Sequence, residues 1–444
     1  MEYGLIGGKL GHSYSKTIHE LLCGYSYELC PLPTEADARA LFAAAAVQGH
    51  QRDHPYKKLV MEYCSFIDPR AKAIGAVNTV VNKNGLLYGY NTDHLGFAHL
   101  CEAHGVELAG KTVLILGTGG THNTTRAVAL DKGAAKVLTV SRTPRPGKGR
   151  AELRRSRAQR RTGGIQHHPA GMYPNVGVCS LDVAAMPGLE AVVDVVYNPN
   201  KTELILRAEE AGVPVAVGGL EMLVAQAVYA AEYFLGRKFE DAPGEVRRIT
   251  AALRRETLNI ALVGMPSCGK STLGRLLAKQ LGRPLVDLDE EIVKADGRSI
   301  PDLFAAEGEE GFRAKEAAQI ARFGKEKGLV LSCGGGAVKR AENVRALRQN
   351  GVVLFIDRPV DALAVGGNRP LSSSAEALRT MEAQRRPLYL AAADAVISNT
   401  GTLAEALAAA QEALDEIFRF LTGQTSIWRA GLSPACRARW TTPA

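Results

Sequence analysis

Residues Gly264 to Thr272 read GMPSCGKST and match G-x-x-x-x-G-K-[ST] at every fixed position. A strand-like NIALV precedes them and a helix-like TLGRLLAKQLG follows, the setting in which such a loop holds phosphate. Gly264 and Gly269 let backbone N–H groups converge on phosphate oxygens at a helix start. Lys270 can then reach the transferred phosphoryl group, and Ser271, with Thr272 beside it, can ligate a magnesium ion. The chemistry calls for a nucleoside triphosphate with Mg2+. Further on, VDLDEEI carries Asp287 and Asp289, expected at the end of the next strand and pointing the same way because strand side chains have period two. GFRAKE supplies Arg313 and Glu316, LSCGGGA a flexible run of glycines, and GGNRPL the Gly-flanked Arg369. Arginines with an aspartate suit a small acid that also carries hydroxyls.

A second loop, GTGGTHNTTRA, places Gly117, Gly119 and Gly120 between a strand and a helix. His122 holds the last place of G-x-G-x-x-G, so the dinucleotide signal is incomplete. VSRT, at the end of the next strand, offers Ser141, Arg142 and Thr143 where an NAD site would show an acid, and Arg142 can pair with a 2′-phosphate. NADP(H) is therefore expected. A third stretch, GHQRDHPYKK, gathers His50, Asp53 and His54 without hydrophobic periodicity. It reads as an exposed loop, as a metal or proton site, or as residues foreign to their surroundings.

The elements that must hold these groups alternate. From Lys111 onward, strands KTVLILG, KVLTVSR, VVDVVYN and PVAVGG alternate with helical segments in a parallel doubly wound pattern. Residues 1 to about 100 form a separate α/β lobe, onto which the helix EMLVAQAVYAAEYFLG, about 221–236, can pack. A polar linker is expected over 239–257, and a second βα series runs from NIALVG to about residue 418.

The features of residues 258 to 415 together resemble shikimate kinase. That resemblance implies that Asp289 orients the acceptor hydroxyl, that Arg313, the Gly334–Gly336 turn centred on Gly335, and Arg385 (from R-x-P-L-Y) hold the acid, that Arg369 lies over the phosphates, and that Asp287 helps place Mg2+. In the first half, GLIGGKLGHSYSKTIH, PYKK, GAVNTV, GYNTDHLGF, VVYNP and GGLEMLVAQA stand in the order found in shikimate dehydrogenase, over residues 3 to 236. By that resemblance Ser13 and Ser15 hold the substrate carboxylate. Asn78, Asp93 and Gln226 bind its hydroxyls, and Tyr197, Gly219 and Met222 lie toward the nicotinamide. Lys57 and Asp93 form the acid/base pair, since reducing a ketone needs a proton donor at its oxygen. The implied fold is α/β: an N-terminal α/β substrate lobe (1–100 and 220–238) plus a Rossmann NADP domain (101–219), followed by a P-loop kinase domain with a parallel sheet over 258–418.

The composition sets bounds on partners. A chain of 444 residues with 46% hydrophobic and 23% charged residues calls for two or three globular domains. The eight Cys are scattered without a C-x-x-C pair, which suits a reducing cytosol, and no apolar run reaches spanning length, so a soluble cytoplasmic protein without a membrane partner is expected. The net charge of +8 invites a nucleic-acid reading, but residues 145–161 hold eight basic residues against the single acid Glu152 and no aromatic to stack on a base. Small-molecule substrates are the expected partners, in a monomer or homodimer.

Dehydrogenases of this kind would show Asn-Val-Thr-Ile ahead of Pro55-Tyr56-Lys57, and a one-base shift of the codons can spell it. Residues of about 43–54, 145–168 and 420–444 accordingly read as out of frame. Shifted, the tail after Leu421 resembles the start of a type II 3-dehydroquinate dehydratase. As printed, the first half is open to a second reading, a binding scaffold beside a working kinase.

Overall fold

The computed structural model describes residues 2–421 apart from 9, 11–12, 23, 45–47, 53–55, 141–161, 167–171, 174–175, 180 and 365–373. The chain divides into two compact units. One comprises Met1–Met172, Val178–Tyr197 and Val213–Thr250, the other Tyr173–Gly177, Asn198–Gly212 and Ala251–Ala444.

The first unit holds two sheets. A mixed six-stranded sheet runs in the order Tyr27–Pro31, Tyr3–Gly7, Gly49–Arg52, Thr79–Lys83, Leu86–Tyr90, Phe66–Ile67. Its first three strands are parallel, and Gly49–Arg52 then pairs antiparallel with Thr79–Lys83. Ile6, Phe42, Tyr56, Val60 and Val80 close a core beneath it. The printed residues of the GHQRDH stretch thus include a paired strand, in register His50 with Val80 and Gln51 with Thr79.

The second sheet of this unit is wholly parallel, in the order Val215–Val217, Leu189–Asp194, Thr162–Gln166, Thr112–Leu116, Lys136–Val140. Val113, Leu114, Ile115, Val192 and Val193 are fully buried, the continuous apolar runs of a sheet covered on both faces. Helices Thr92–Ala103 and Leu220–Leu235 meet backbone to backbone. A Cβ on Gly96 would lie 2.7 Å from the Met222 carbonyl oxygen and 2.9 Å from Gln226 Cβ, so only glycine permits the approach.

The second unit has a five-stranded parallel sheet in the order Leu285–Asp287, Val330–Ser332, Asn259–Val263, Gly351–Asp357, Ala395–Ser398. The first strand in sequence lies at its centre, and ligands of such sheets sit outside the carboxyl ends of the strands.

Two expectations change. The stretch expected as a polar linker folds as a helix, Ala242–Thr257, with Val246, Ile249 and Leu253 fully or almost fully buried at helical spacing. Each such burial is worth about 1.5–3 kcal/mol over exposure. Asp289 is not on a strand: the strand ends at Asp287, whose carboxylate accepts from the Asp289 N–H at 3.1 Å and caps the helix Leu288–Asp296. Among the described residues no helix is long and apolar enough to cross a membrane.

Candidate functional site

Asp93 sits in the first turn of Thr92–Ala103, and local hydrogen bonds fix that turn. The Asn91 side chain accepts from the His94 N–H at 3.2 Å, the N-cap bond expected of Asn before a helix. Asn78, buried just ahead of the strand Thr79–Lys83, accepts from the Thr92 N–H at 2.7 Å and donates to Thr92 Oγ1 at 3.1 Å. Lys57 Nζ donates to Asp93 Oδ2 at 2.7 Å, with the two side chains 21% and 13% exposed. An ammonium in direct contact with a carboxylate, reachable but mostly out of water, can give a proton to a carbonyl oxygen and take it back.

Beside this pair runs a directional chain of polar groups. Gln226 Nε2 donates to the Leu223 carbonyl at 2.9 Å, and its Oε1 accepts from Gln51 Nε2 at 2.7 Å. Gln51 Oε1 accepts from the Tyr27 hydroxyl at 2.9 Å and lies 2.8 Å from His19 Nε2, which must therefore carry the proton. His19 Nδ1 then accepts from Tyr25 at 2.6 Å, and the imidazole stacks on Tyr27. Burial holds His19 neutral by lowering its pKa to about 4, although the Gln51 bond works the other way. Nothing in sequence periodicity points to this chain, because its members come from four separate segments.

Ser13 and Ser15 lie together, with the Ser13 hydroxyl donating to Ser15 Oγ at 3.1 Å. Tyr197 packs on Tyr14 at 5.8 Å between ring centroids. Gly219 donates its N–H to the Val196 carbonyl at 2.9 Å, and a Cβ there would stand 2.2 Å from the Val195 carbonyl oxygen. Met222 is buried behind it. Gly117 adopts φ 104°, the Gly119 carbonyl accepts from the His122 N–H at 3.0 Å, and nothing lies within 4 Å of a Cβ built on Gly120. That open turn leads into the helix His122–Asp131 and fits a dinucleotide pyrophosphate. Ser141, Arg142 and Thr143 lie outside the described residues, as do Asp53, His54 and nearly all of the 145–168 and 420–444 windows. His50 stacks against Phe42.

In the second unit the phosphate loop is bent as glycine requires. Gly264 has φ 148° and Gly269 φ 96°, and a Cβ on Gly264 would meet the Ile356 carbonyl at 2.5 Å. Lys270 Nζ curls onto the loop, donating to the Gly264 and Met265 carbonyls at 3.0 and 2.8 Å. Thr272 is exposed in the following turn. Ser271 Oγ donates to Asp287 Oδ2 at 2.7 Å and meets Ser332 Oγ at 3.1 Å, a pair of hard oxygen donors that fits a divalent cation with the phosphates. Asn399, buried after the last strand, was not foreseen; its Nδ2 donates to the Cys268 carbonyl at 2.7 Å and so braces the loop from behind.

Across from the loop, the three glycines are tight for three different reasons. A Cβ on Gly334 would stand 2.5 Å from Glu316 Oε1 and 2.9 Å from Asp289 Oδ1; on Gly335, 2.9 Å from the Pro266 ring; on Gly336, 2.2 Å from the Arg313 guanidinium carbon. Arg313 Nη1 donates to Glu316 Oε2 at 2.6 Å. Burial opposes the Arg313 charge, but Glu316 and Glu309 together offset it and the pKa is raised. Burial likewise pushes the Glu316 carboxyl above its ordinary range, against the pull of Arg313. Arg385 Nη1 donates to the Gly335 carbonyl at 3.0 Å. Arg369 lies outside the described residues.

A dinucleotide-type oxidoreductase fold with an ammonium–carboxylate pair is therefore followed by a P-loop kinase fold with an arginine-lined acceptor side. Comparison with known proteins narrows both. The shikimate dehydrogenase substrate-binding-domain family model matches residues 5–80, and the shikimate kinase family model matches residues 266–421. A shikimate dehydrogenase (NADP(+)) of Clostridium perfringens is 33% identical over 261 residues, 55% of this chain and 95% of the relative. A shikimate kinase of Symbiobacterium thermophilum is 44% identical over 170 residues, 36% of this chain and 97% of the relative. The crystal structure of a chorismate mutase/shikimate 5-dehydrogenase fusion protein from Clostridium acetobutylicum superposes with a TM-score of 0.52 at 31% identity, covering 56% of this chain and 96% of that one. The chain belongs to two families, shikimate dehydrogenase in its first half and shikimate kinase in its second.

Proposed function

We propose that the chain is a bifunctional enzyme that reduces 3-dehydroshikimate to shikimate with NADPH and then phosphorylates shikimate to shikimate 3-phosphate with ATP and Mg2+. The observation that carries the reading is the presence, on one chain, of the 2.7 Å Lys57–Asp93 contact and of a P-loop facing Arg313 and the glycine turn.

In the first unit NADPH, when bound at the Gly117–Gly120 turn, supplies the hydride. Lys57 donates a proton to the carbonyl oxygen, is left as a neutral amine and takes a proton back from water, while Asp93 holds its side chain in place. Ser13 and Ser15 bind the carboxylate, and Asn78 and Gln226 read hydroxyls. Tyr197, Gly219 and Met222 bound the nicotinamide side, and Ser141, Arg142 and Thr143 meet the 2′-phosphate. In the second unit ATP supplies the phosphoryl group. Backbone N–H groups of Gly264–Thr272 and Lys270 cradle its phosphates, Ser271 and Asp287 hold Mg2+, and Arg369 neutralises developing charge. Arg313, Gly335 and Arg385 hold the acid while Asp289 orients the hydroxyl that attacks.

A second reading, a working kinase beside an impaired dehydrogenase, is favoured by one observation. Gln51 and the Leu223 carbonyl engage both ends of the Gln226 amide that would otherwise meet substrate. This reading leaves the 43–54 window as a candidate frame error, which resequencing of those codons settles. We place the protein in the cytoplasm, acting on small molecules rather than nucleic acid or membrane. Two assays on the purified chain test the proposal: NADPH oxidation with 3-dehydroshikimate, and ADP release with shikimate. Lys57→Met should strongly lower only the first and Lys270→Met only the second. ADP release without NADPH oxidation would favour the scaffold reading instead.

A further inference from the structure

The last residue of R-x-P-L-Y is unused by the roles above. Tyr389 is fully buried within the helix Ala375–Ala392, four residues after Arg385, so both side chains leave the same helix face. Both end on one atom. The Tyr389 hydroxyl donates to the Gly335 carbonyl at 2.5 Å, and Arg385 Nη1 donates to the same oxygen at 3.0 Å. The hydroxyl also lies 3.9 Å from Met265 Sδ at the start of the phosphate loop, and its ring stacks on Phe355 at 5.0 Å. Burial pushes its pKa up, so it stays a neutral donor. The Pro266 ring also lies close to Gly335, 2.9 Å from where a Cβ would stand.

We propose that Tyr389 is a positioning residue of the kinase acceptor site, which keeps the Gly335 carbonyl hydrogen-bonded when Arg385 turns to the substrate carboxylate. Gly335 is half-buried, and a carbonyl partly withdrawn from water loses free energy when it is left without a donor. With Tyr389 in place, Arg385 can exchange the carbonyl for the acid while the glycine turn stays fixed against Asp289, Glu316 and Arg313. Without the hydroxyl, engaging the acid strips the carbonyl of its last donor among the described residues. The loss therefore falls on acid binding through Arg385 and spares the nucleotide. The inference rests on the kinase reading of this unit.

The test is steady-state kinase kinetics on the full chain carrying Tyr389→Phe, Arg385→Ala or both. Tyr389→Phe keeps the ring and its stacking. The KM for shikimate should rise about 3- to 10-fold, the range of one lost hydrogen bond to a half-buried carbonyl. The KM for ATP should stay within two-fold, and on the Arg385→Ala background the tyrosine change should add nothing further. An equal rise in both KM values with a lowered Tm would assign Tyr389 a merely structural role and overturn the proposal. So would full additivity of the two substitutions, or an unchanged KM for shikimate. A wild-type chain that releases no ADP would instead overturn the kinase reading itself.

Discussion

Gly336→Ala isolates the steric fit of the acceptor site. Gly336 has φ −107°, a backbone conformation open to alanine, so no strain arises from the chain itself. The added Cβ would stand 2.2 Å from the Arg313 guanidinium carbon and 2.3 Å from both its terminal nitrogens. Ordinary contact lies near ~3.5 Å, so the guanidinium must retreat by about 1 Å. It has little room, because Glu316 holds it at 2.6 Å and is itself wholly buried. Overpacking of this kind costs about 1–3 kcal/mol, and a 1 Å misplacement of a positioning group costs on the order of 100-fold in rate. We expect kcat/KM for shikimate to fall about 10- to 100-fold while the KM for ATP stays near wild type, measured by coupled ADP release. A variant with wild-type kcat/KM would refute the placement of Arg313 over Gly336 and with it the acid-binding role.

Three further outcomes follow from the same geometry. Lys57→Met should lower NADPH turnover with 3-dehydroshikimate by about 10²–10⁴-fold, the usual contribution of a positioned proton donor, and stopped-flow absorbance would read it. His19, held at about 4 by burial, excludes a proton that the unfolded chain accepts below ~6.5, so the first unit should lose stability as pH falls from ~6.5 toward 4, by about 2 kcal/mol at pH 5. Calorimetry at pH 5 and 7 would show this in the transition that MgATP does not shift, and His19→Gln should flatten the slope. Asn399→Leu removes the donor from the Cys268 carbonyl and should raise the KM for ATP several-fold with the KM for shikimate little changed.

Residues whose chemistry is local were legible in the sequence. The phosphate loop is contiguous, its glycines are imposed by backbone angles, and Lys270 and Ser271 follow at fixed spacing. Asp289 shows the limit of period-two reasoning: the carboxylate of Asp287 ends the strand by capping a helix, and the register is lost within two residues. The buried stripe Val246, Ile249 and Leu253 was present but diluted by surrounding arginines and glutamates, so a helix reads as a linker. Gln51 was the least legible. Its partners His19, Tyr27 and Gln226 meet it only after the sheet and the helix Leu220–Leu235 come together. Tyr389 and Asn399 act on backbone carbonyls, which carry no side-chain signature.

The most direct test of two working sites on one chain is a relay assay. Purified protein is given 3-dehydroshikimate and MgATP, and ADP release is followed before and after NADPH is added. The account predicts ADP release only after NADPH, with one ADP per NADPH oxidised, and loss of the signal with either Lys57→Met or Lys270→Met. Silence after NADPH, from protein that releases ADP when given shikimate directly, would contradict it.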